Sequence, residues 1–315
     1  MTSPTSPQGP AERPVARAPL SRTTLLGIAG VVVCALIWGT TWYGITLQFG
    51  QVAPLVSIVW RFGLASVILF VACLVMRWPL NLTRDQHLAA FFQGLFAFSI
   101  SYSFTYAAEH HVASAIVAVT FAALTFLNLI LFGVAARQKA AGASWAGAVL
   151  GVAGVAVLSG GEILGAGFDR EAALGIGLAL IATMASAVGN FFAWRGQNAG
   201  SAVMSSTAWA MAYGTGMLAL WGLATGVEWT LEPTVRYLGS LAYLAVFGSV
   251  IAFGLYFTIA RVIGYTMASY ISALTPPIAM LVSVAFEGAR FGWTALVGLV
   301  IVLAGQALLI RAPRR

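Results

Sequence analysis

Long apolar runs constrain this chain more than any other feature. A bilayer-crossing helix needs about 20 mostly apolar residues. Ten stretches reach or approach that length: Leu25–Leu47, Pro54–Met76, Leu88–Ala108, Ala113–Ala135, Trp145–Ser159, Leu174–Trp194, Met204–Gly226, Leu238–Ile259, Ala268–Phe286 and Trp293–Ile310. The runs lack period-two alternation, which predicts helices rather than barrel strands. The fifth is short, and its glycine-rich end continues toward Leu164. Composition agrees. The chain is 60% hydrophobic and 8% charged, with mean hydropathy +0.91, against about 25% charged residues in a soluble domain. An all-α integral membrane protein is expected, with the lipid bilayer as its first partner. The net charge of +7 does not mark a nucleic-acid protein, because the basic residues stand singly between apolar runs and form no stripe. Cys34 and Cys73 lie inside apolar segments and read as small buried hydrophobes.

Residues 1–23 carry Pro4, Pro7, Pro10, Pro14 and Pro19 among Ser, Thr and Arg. Such a segment buries too little apolar surface to fold, so a disordered tail is expected. The Leu25–Leu47 run exceeds a signal-peptide core of about 7–15 residues and reads as an uncleaved first span. With the N-terminus placed in the cytoplasm, Arg13, Arg17, Arg22, Arg77, Arg84, Arg137, Lys139, Arg195, Arg261, Arg311, Arg314 and Arg315 fall inside, while Arg170, Arg236 and Arg290 fall outside. That asymmetry is the positive-inside pattern, and it requires an even number of spans with both ends cytoplasmic.

The chain also repeats itself. Ala113-Ser114 corresponds to Ala268-Ser269 and Gly133 to Gly288 at an offset of 155, and Gly147 and Gly154 fall on Gly298 and Gly305 at 151. Upstream, Gly27 and Gly39 match Gly177 and Gly189, Trp60 matches Trp209, and Ala90–Tyr106 aligns with Ala245–Arg261. Residues 24–159 and 174–310 are therefore read as two five-helix repeats within one membrane domain. An odd number of spans per half inverts the second relative to the first. Inverted repeats are an architecture of alternating-access carriers, with substrate held near the midplane.

Three passages carry a family resemblance: ALIWGTTW in the first span, the arginine of VWRFGLA in the second, and SALTPPIAMLVSVAFEG with Gly298 and Gly305 behind it. The chain resembles the EamA family of the drug/metabolite transporter superfamily, from roughly Leu25 to Ile310. The resemblance implies a ten-span carrier in a bacterial inner membrane. The chain departs from that pattern at Phe121 and Phe132, where the second copy has Pro276 and Glu287 and the family often keeps Pro and Glu in both.

Arg61 is the one charge well inside a predicted span. Intramembrane ionisable residues are expensive and mark function by default. Its guanidinium suits bidentate capture of a carboxylate; a structural role, snorkelling outward or pairing with Glu109 or Glu287, is the competing reading. Trp38 and Trp42, the repeat partners of Val188 and Phe192, Asn190 deep in the sixth span, and Tyr102, Tyr213, Tyr256 and Tyr270 are candidate cavity residues; aromatic packing is the alternative for each. Asn128 reads as helix-to-helix glue. Pro276-Pro277 should break the hydrogen-bond ladder in mid-membrane, as a hinge or a static kink. Glu287, closing the ninth span, is a candidate gate or a solvated end residue. Glu109-His110-His111 does not make a metal site, since consecutive helical residues diverge and His87 lies on the opposite face. Neither metal nor cofactor is expected.

No nucleophile elbow, zinc-protease or phosphate-loop motif is present in the sequence, so hydrolysis and ATP coupling lack their parts. A small-molecule carrier is expected, favouring export of amino acids or related metabolites. Nucleotide-sugar or sugar-phosphate exchange and a non-transporting scaffold are the alternatives, and monomer and oligomer are both compatible. Reporter fusions should place the loops at Arg84, Arg137, Arg195 and Arg261 in the cytoplasm and those at Arg170 and Arg236 outside. Labelling of a cysteine at position 137 by an external, impermeant thiol reagent would refute that topology.

Overall fold

The computed structural model describes residues 22–135, 137, 142–164, 169–263, 265–268 and 270–311. The expected proline-rich tail lies outside the described residues up to residue 21, and Arg22 already begins the first helix. The helices are α1 (Arg22–Thr46), α2 (Pro54–Val75), α3 (Arg84–Glu109), α4 (Ser114–Ala135), α5 (Gly142–Leu164), α6 (Arg170–Asn198), α7 (Val203–Ala224), α8 (235–263), α9 (270–287) and α10 (Trp293–Arg311), with one short turn of helix at Tyr265–Ala268. No strand occurs among the described residues.

Local chemistry sets several ends. Pro54 opens α2, where its missing N–H costs nothing. Thr83 and Gln86 form a capping box at the start of α3. The Asp169 carboxylate accepts from the backbone of Glu171 and Ala172 to start α6. Gly288 closes α9 in the left-handed region, at φ 67°.

Seven helices are long and apolar enough to cross a membrane among the described residues, while Leu274–Glu287 and Trp293–Leu308 form shorter apolar segments. Helix α7 is not among the seven. Its Ser, Thr, Gly, Trp and Tyr residues dilute its hydropathy, and it packs inside the bundle against α2 and α3. Large apolar side chains point outward along the bundle, among them Val67, Leu74, Val134, Leu220 at the far end of α7, and Leu281. An exposed apolar belt of this kind is a surface made for lipid.

The two halves interlock. Helix α1 packs on α9 and α8 of the other half, and α6 packs reciprocally on α4 and α3. Helices α2 and α7 pair with each other, as do α5 and α10. The α5–α10 contact is backbone on backbone, made possible by the repeated glycines. A Cβ on Gly154 would sit 2.7 Å from the Gly298 carbonyl oxygen, and one on Gly305 would sit 2.6 Å from that of Gly147. Small residues let membrane helices approach until dispersion holds them.

Three segments depart from the α-helical ladder into π-helix: Gly94–Ile100 in α3, Leu244–Ile251 in α8 and Ser283–Glu287 in α9. The first two fall at related places in the repeat. The prolines remove two ladder bonds while the helical path continues. Helix α9 runs through Pro276 and Pro277 without a break. The proline-free copy is the interrupted one: α4 tightens into a turn at Ala122–Ala123, with Ala122 N bonded to Val119 O and Ala123 N to Thr120 O. Gln306 of α10 reaches into that turn, its Nε2 donating to the Ala122 carbonyl at 3.2 Å and to Thr125 Oγ1 at 3.1 Å.

A side chain between α5 and α10 should be resisted. Gly154→Val is expected to destabilise the bundle by about 1–3 kcal/mol, the cost of overpacking a filled interface. Gly160→Ala, with nothing within 4 Å of the added carbon, should not. Thermal unfolding of the two variants in detergent checks the difference.

Candidate functional site

The interlocked halves enclose a cavity of about 750 Å³ including its mouth, lined from α1, α2, α3, α4, α6, α8 and α9. Trp38, Thr41 and Trp42 come from α1, Tyr102 and Thr105 from α3, Asn190 and Ser186 from α6, and Phe253 and Tyr256 from α8. Arg61 of α2 is its one basic residue.

Arg61 is only 1% exposed. Its Nε donates to Ser249 Oγ at 3.0 Å, and its guanidinium carbon stands 4.7 Å from the Tyr102 ring centroid and 5.0 Å from that of Phe62. Ser249 in turn donates to the Leu244 carbonyl, five residues back, at 2.9 Å. The π-turn of α8 thus orients the acceptor that orients the arginine. Arg61 neither snorkels nor pairs with Glu109 or Glu287: among the described residues the one ion pair is His111 Nδ1 to Glu171 Oε2, at 2.6 Å. Its Nη1 is buried without a partner among the described residues. An unpaired charge held out of water costs several kcal/mol, which the Ser249 bond and the two ring faces offset in part.

The aromatic walls are fixed in turn. Trp38 Nε1 donates to the Gly248 carbonyl at 3.2 Å, and its ring stands edge-on to Phe253 at 5.1 Å. Trp42 packs on Phe121 at 4.9 Å, with its own Nε1 buried and unpartnered among the described residues. Asn190 Nδ2 donates to the Tyr256 hydroxyl at 3.1 Å and, at 3.5 Å, to the Asn128 carbonyl oxygen. Asn190 therefore faces the cavity and ties three helices together, while Asn128 lies fully buried behind it.

Aromatic rings close the cavity toward the α4–α5 and α8–α9 connections. Phe132 stacks on Tyr265 at 5.3 Å and meets Trp194 at 5.6 Å. At the opposite end, Tyr106 donates to Gln48 Oε1 at 2.7 Å, and His110 stacks on Phe49 at 3.9 Å. Burial, and behind it the neighbouring His111, hold the His110 imidazole below the usual histidine range. Glu287 accepts from Ser283, whose Oγ also meets Ser114 Oγ at 3.1 Å.

Trp38, Trp42, Arg61, Tyr102, Asn190 and Tyr256 are brought together at the cavity. Tyr213 is not. Its hydroxyl lies 3.0 Å from His87 Nδ1 in a separate groove with Arg84 and Asp85. The side chain of Tyr270 lies outside the described residues. Pro276 and Pro277 follow Thr275, which lines the cavity together with Ser272. By the i to i−4 rule their missing N–H groups free the carbonyls of Ser272 and Ala273. Sequence reasoning missed Ser249, and the signal for it was the repeat: at an offset of 155 it replaces Gly94. Among the described residues no group of three or more His, Cys, Asp or Glu is placed to hold a metal.

An apolar helical bundle enclosing a polar-tipped cavity between two halves defines a multi-pass membrane transporter. The pattern of the EamA-like transporter family matches the sequence twice, over residues 25–160 and 173–311, and the chain belongs to that family, within the drug/metabolite transporter superfamily. Its relatives include the uncharacterized inner membrane transporter YedA of Escherichia coli K12, 28% identical over 295 residues, covering 88% of this chain and 90% of YedA. YedA of E. coli O6:H1 and of O157:H7 match to the same extent. A crystal structure 19% identical in sequence covers 94% of this chain and 100% of its own, with a TM-score of 0.68, which shows a shared fold.

Replacing Ser249 with alanine removes the acceptor of the buried Arg61 Nε. Leaving that group unmet should cost about 1–3 kcal/mol, read as a lower melting temperature in detergent, with Ser249→Thr restoring most of it.

Proposed function

We propose that this chain is a secondary exporter of amino acids or related small metabolites, working by alternating access in the inner membrane. In this reading ten spans form two inverted five-helix halves, 24–159 and 174–310, with both termini cytoplasmic. The reciprocal packing of α1 and α6 supports that arrangement, as do the double family match and the charge asymmetry. The single observation behind the substrate class is the buried Arg61 guanidinium, anchored through Nε and unpartnered at Nη1, in a cavity walled by Trp38, Trp42, Tyr102, Phe253 and Tyr256. A fixed planar fork suits a carboxylate, and aromatic faces suit an apolar side chain. Asn190, Thr41 and Thr105 supply neutral hydrogen bonds. One arginine in the lining is few for a nucleotide sugar or sugar phosphate.

Glu287 serves as the outer gate through Ser283, which donates to it and meets Ser114 in turn, and Pro276-Pro277 lets α9 flex without breaking. On the side that the charge count assigns to the cytoplasm, the Phe132, Trp194 and Tyr265 rings form the opposing barrier.

The test is export of labelled amino acids from overproducing cells and from proteoliposomes. Arg61→Lys should lose roughly ten- to hundredfold in rate, the worth of the ~1.5–3 kcal/mol of a hydrogen bond to a charged group. Undiminished flux in both Arg61→Lys and Arg61→Ala would remove the arginine from the substrate site, and absence of flux with any amino acid would overturn the amino-acid reading in favour of sugar-phosphate type exchange or a scaffold.

A further inference from the structure

Glu109 ends α3 and, read along the sequence, looks like a solvated loop residue. It is 6% exposed, and both its carboxyl oxygens are shielded from water with no donor among the described residues. A carboxyl in that setting is accommodated only with a proton on it or a cation beside it. Its place in the helix says what it faces. Tyr102, Thr105 and Glu109 recur at i, i+3 and i+7, one stripe of α3, and the first two line the cavity. Glu109 continues that stripe two turns beyond the ring that carries the Arg61 guanidinium. It lies within electrostatic reach of Arg61 and Glu287, yet no ion pair joins it to Arg61 among the described residues. Arg61 thus lines the cavity and Glu109 lies beyond its lining on the stripe that Tyr102 and Thr105 begin, the carboxyl without a donor and with no ion pair to the guanidinium among the described residues.

We propose that Glu109 is where substrate and proton exchange: it binds the ammonium group of the substrate whose carboxylate sits on Arg61, and it holds a proton when the carrier is empty. This rests on the amino-acid reading above and adds its coupling. Binding of the zwitterion breaks the Glu109 O–H bond and releases that proton to solvent, no bond of the substrate changes, and the site, with one net positive charge when empty, is neutral when loaded. Because substrate and proton exclude each other at one carboxylate, outward movement of substrate is tied to inward movement of a proton. The charged and titratable groups around Glu109 are Arg61 from α2, Glu287 from α9, Tyr102 and Tyr106 on its own helix, and His110 and His111 just after it, the last engaged with Glu171 of α6. Helix α4, packed alongside, carries no titratable side chain.

The full-length protein in nanodiscs under weak buffering tests this with two probes: L-phenylalanine, chosen for the aromatic walls, and N-acetyl-L-phenylalanine, which keeps the carboxylate and lacks the ammonium. Binding is read from tryptophan fluorescence and proton release from a pH dye. Wild type should release about one proton for each L-phenylalanine bound and none for the N-acetyl compound. Glu109→Gln should still bind the N-acetyl compound, which shows it folded, but should bind L-phenylalanine about tenfold or more weakly and release no proton. Proton release that persists in Glu109→Gln, or disappears only in Glu287→Gln, overturns the assignment. Binding by wild type without any proton release overturns the exchange while leaving the amino-acid reading intact. Failure of wild type to bind either probe overturns both.

Discussion

Inside a bilayer each backbone carbonyl and amide must find a partner within the protein, and this structure is organised by how that demand is met wherever the α-helical ladder slips. At the turn in α4 the Ala122 carbonyl is taken by Gln306. In the π-stretch of α8, Trp38 takes the Gly248 carbonyl and Ser249 that of Leu244. These side chains also fix the cavity. Trp38 and, through Ser249, Arg61 are oriented by the bonds that repair the backbone. Irregular backbone at membrane depth is tolerated where protein or a cavity surrounds it, which is why the cavity and the irregularities coincide.

Symmetry and its loss divide the labour between the halves. The repeat register puts Ala210 opposite Arg61 and Gly94 opposite Ser249. In the second-half copy of this contact the Ala210 carbonyl lies so near Gly94 that no side chain fits between α7 and α3. In the first-half copy, α2 and α8 stand apart enough to hold a guanidinium beside a serine hydroxyl. One crossing serves as a tight structural contact, and its counterpart has been opened into a site. Helices α5 and α10 retain the tight form along their length.

The helices were legible because their signal is local and long: twenty apolar residues leave few alternatives. Arg61 was legible because charge is so rare in such segments. Glu109 was not, because it sits at the end of an apolar run, and only tertiary packing decides whether such a residue is wet. Tyr213 looked equivalent to Tyr102 and Tyr256 in composition, but helix rotation turned it toward His87. The prolines remove ladder bonds locally, while α9 is packed along its length and its helical path stays continuous. The break fell instead at Ala122–Ala123, where nothing in the sequence breaks a helix and a glutamine 184 positions away supplies the missing bond.

The Arg61–Ala210 difference bears on how a carrier of this kind can arise. An assembly of two identical half-length chains, related by a two-fold axis, must place every side chain an even number of times, so its central cavity holds two guanidiniums or none. Two face to face would repel each other and need two anions at once. A single polypeptide containing both halves is free of that parity. It can keep one cation on one wall and an uncharged methyl at the symmetry-related position, and so build a lopsided cavity for a small molecule whose two ends differ.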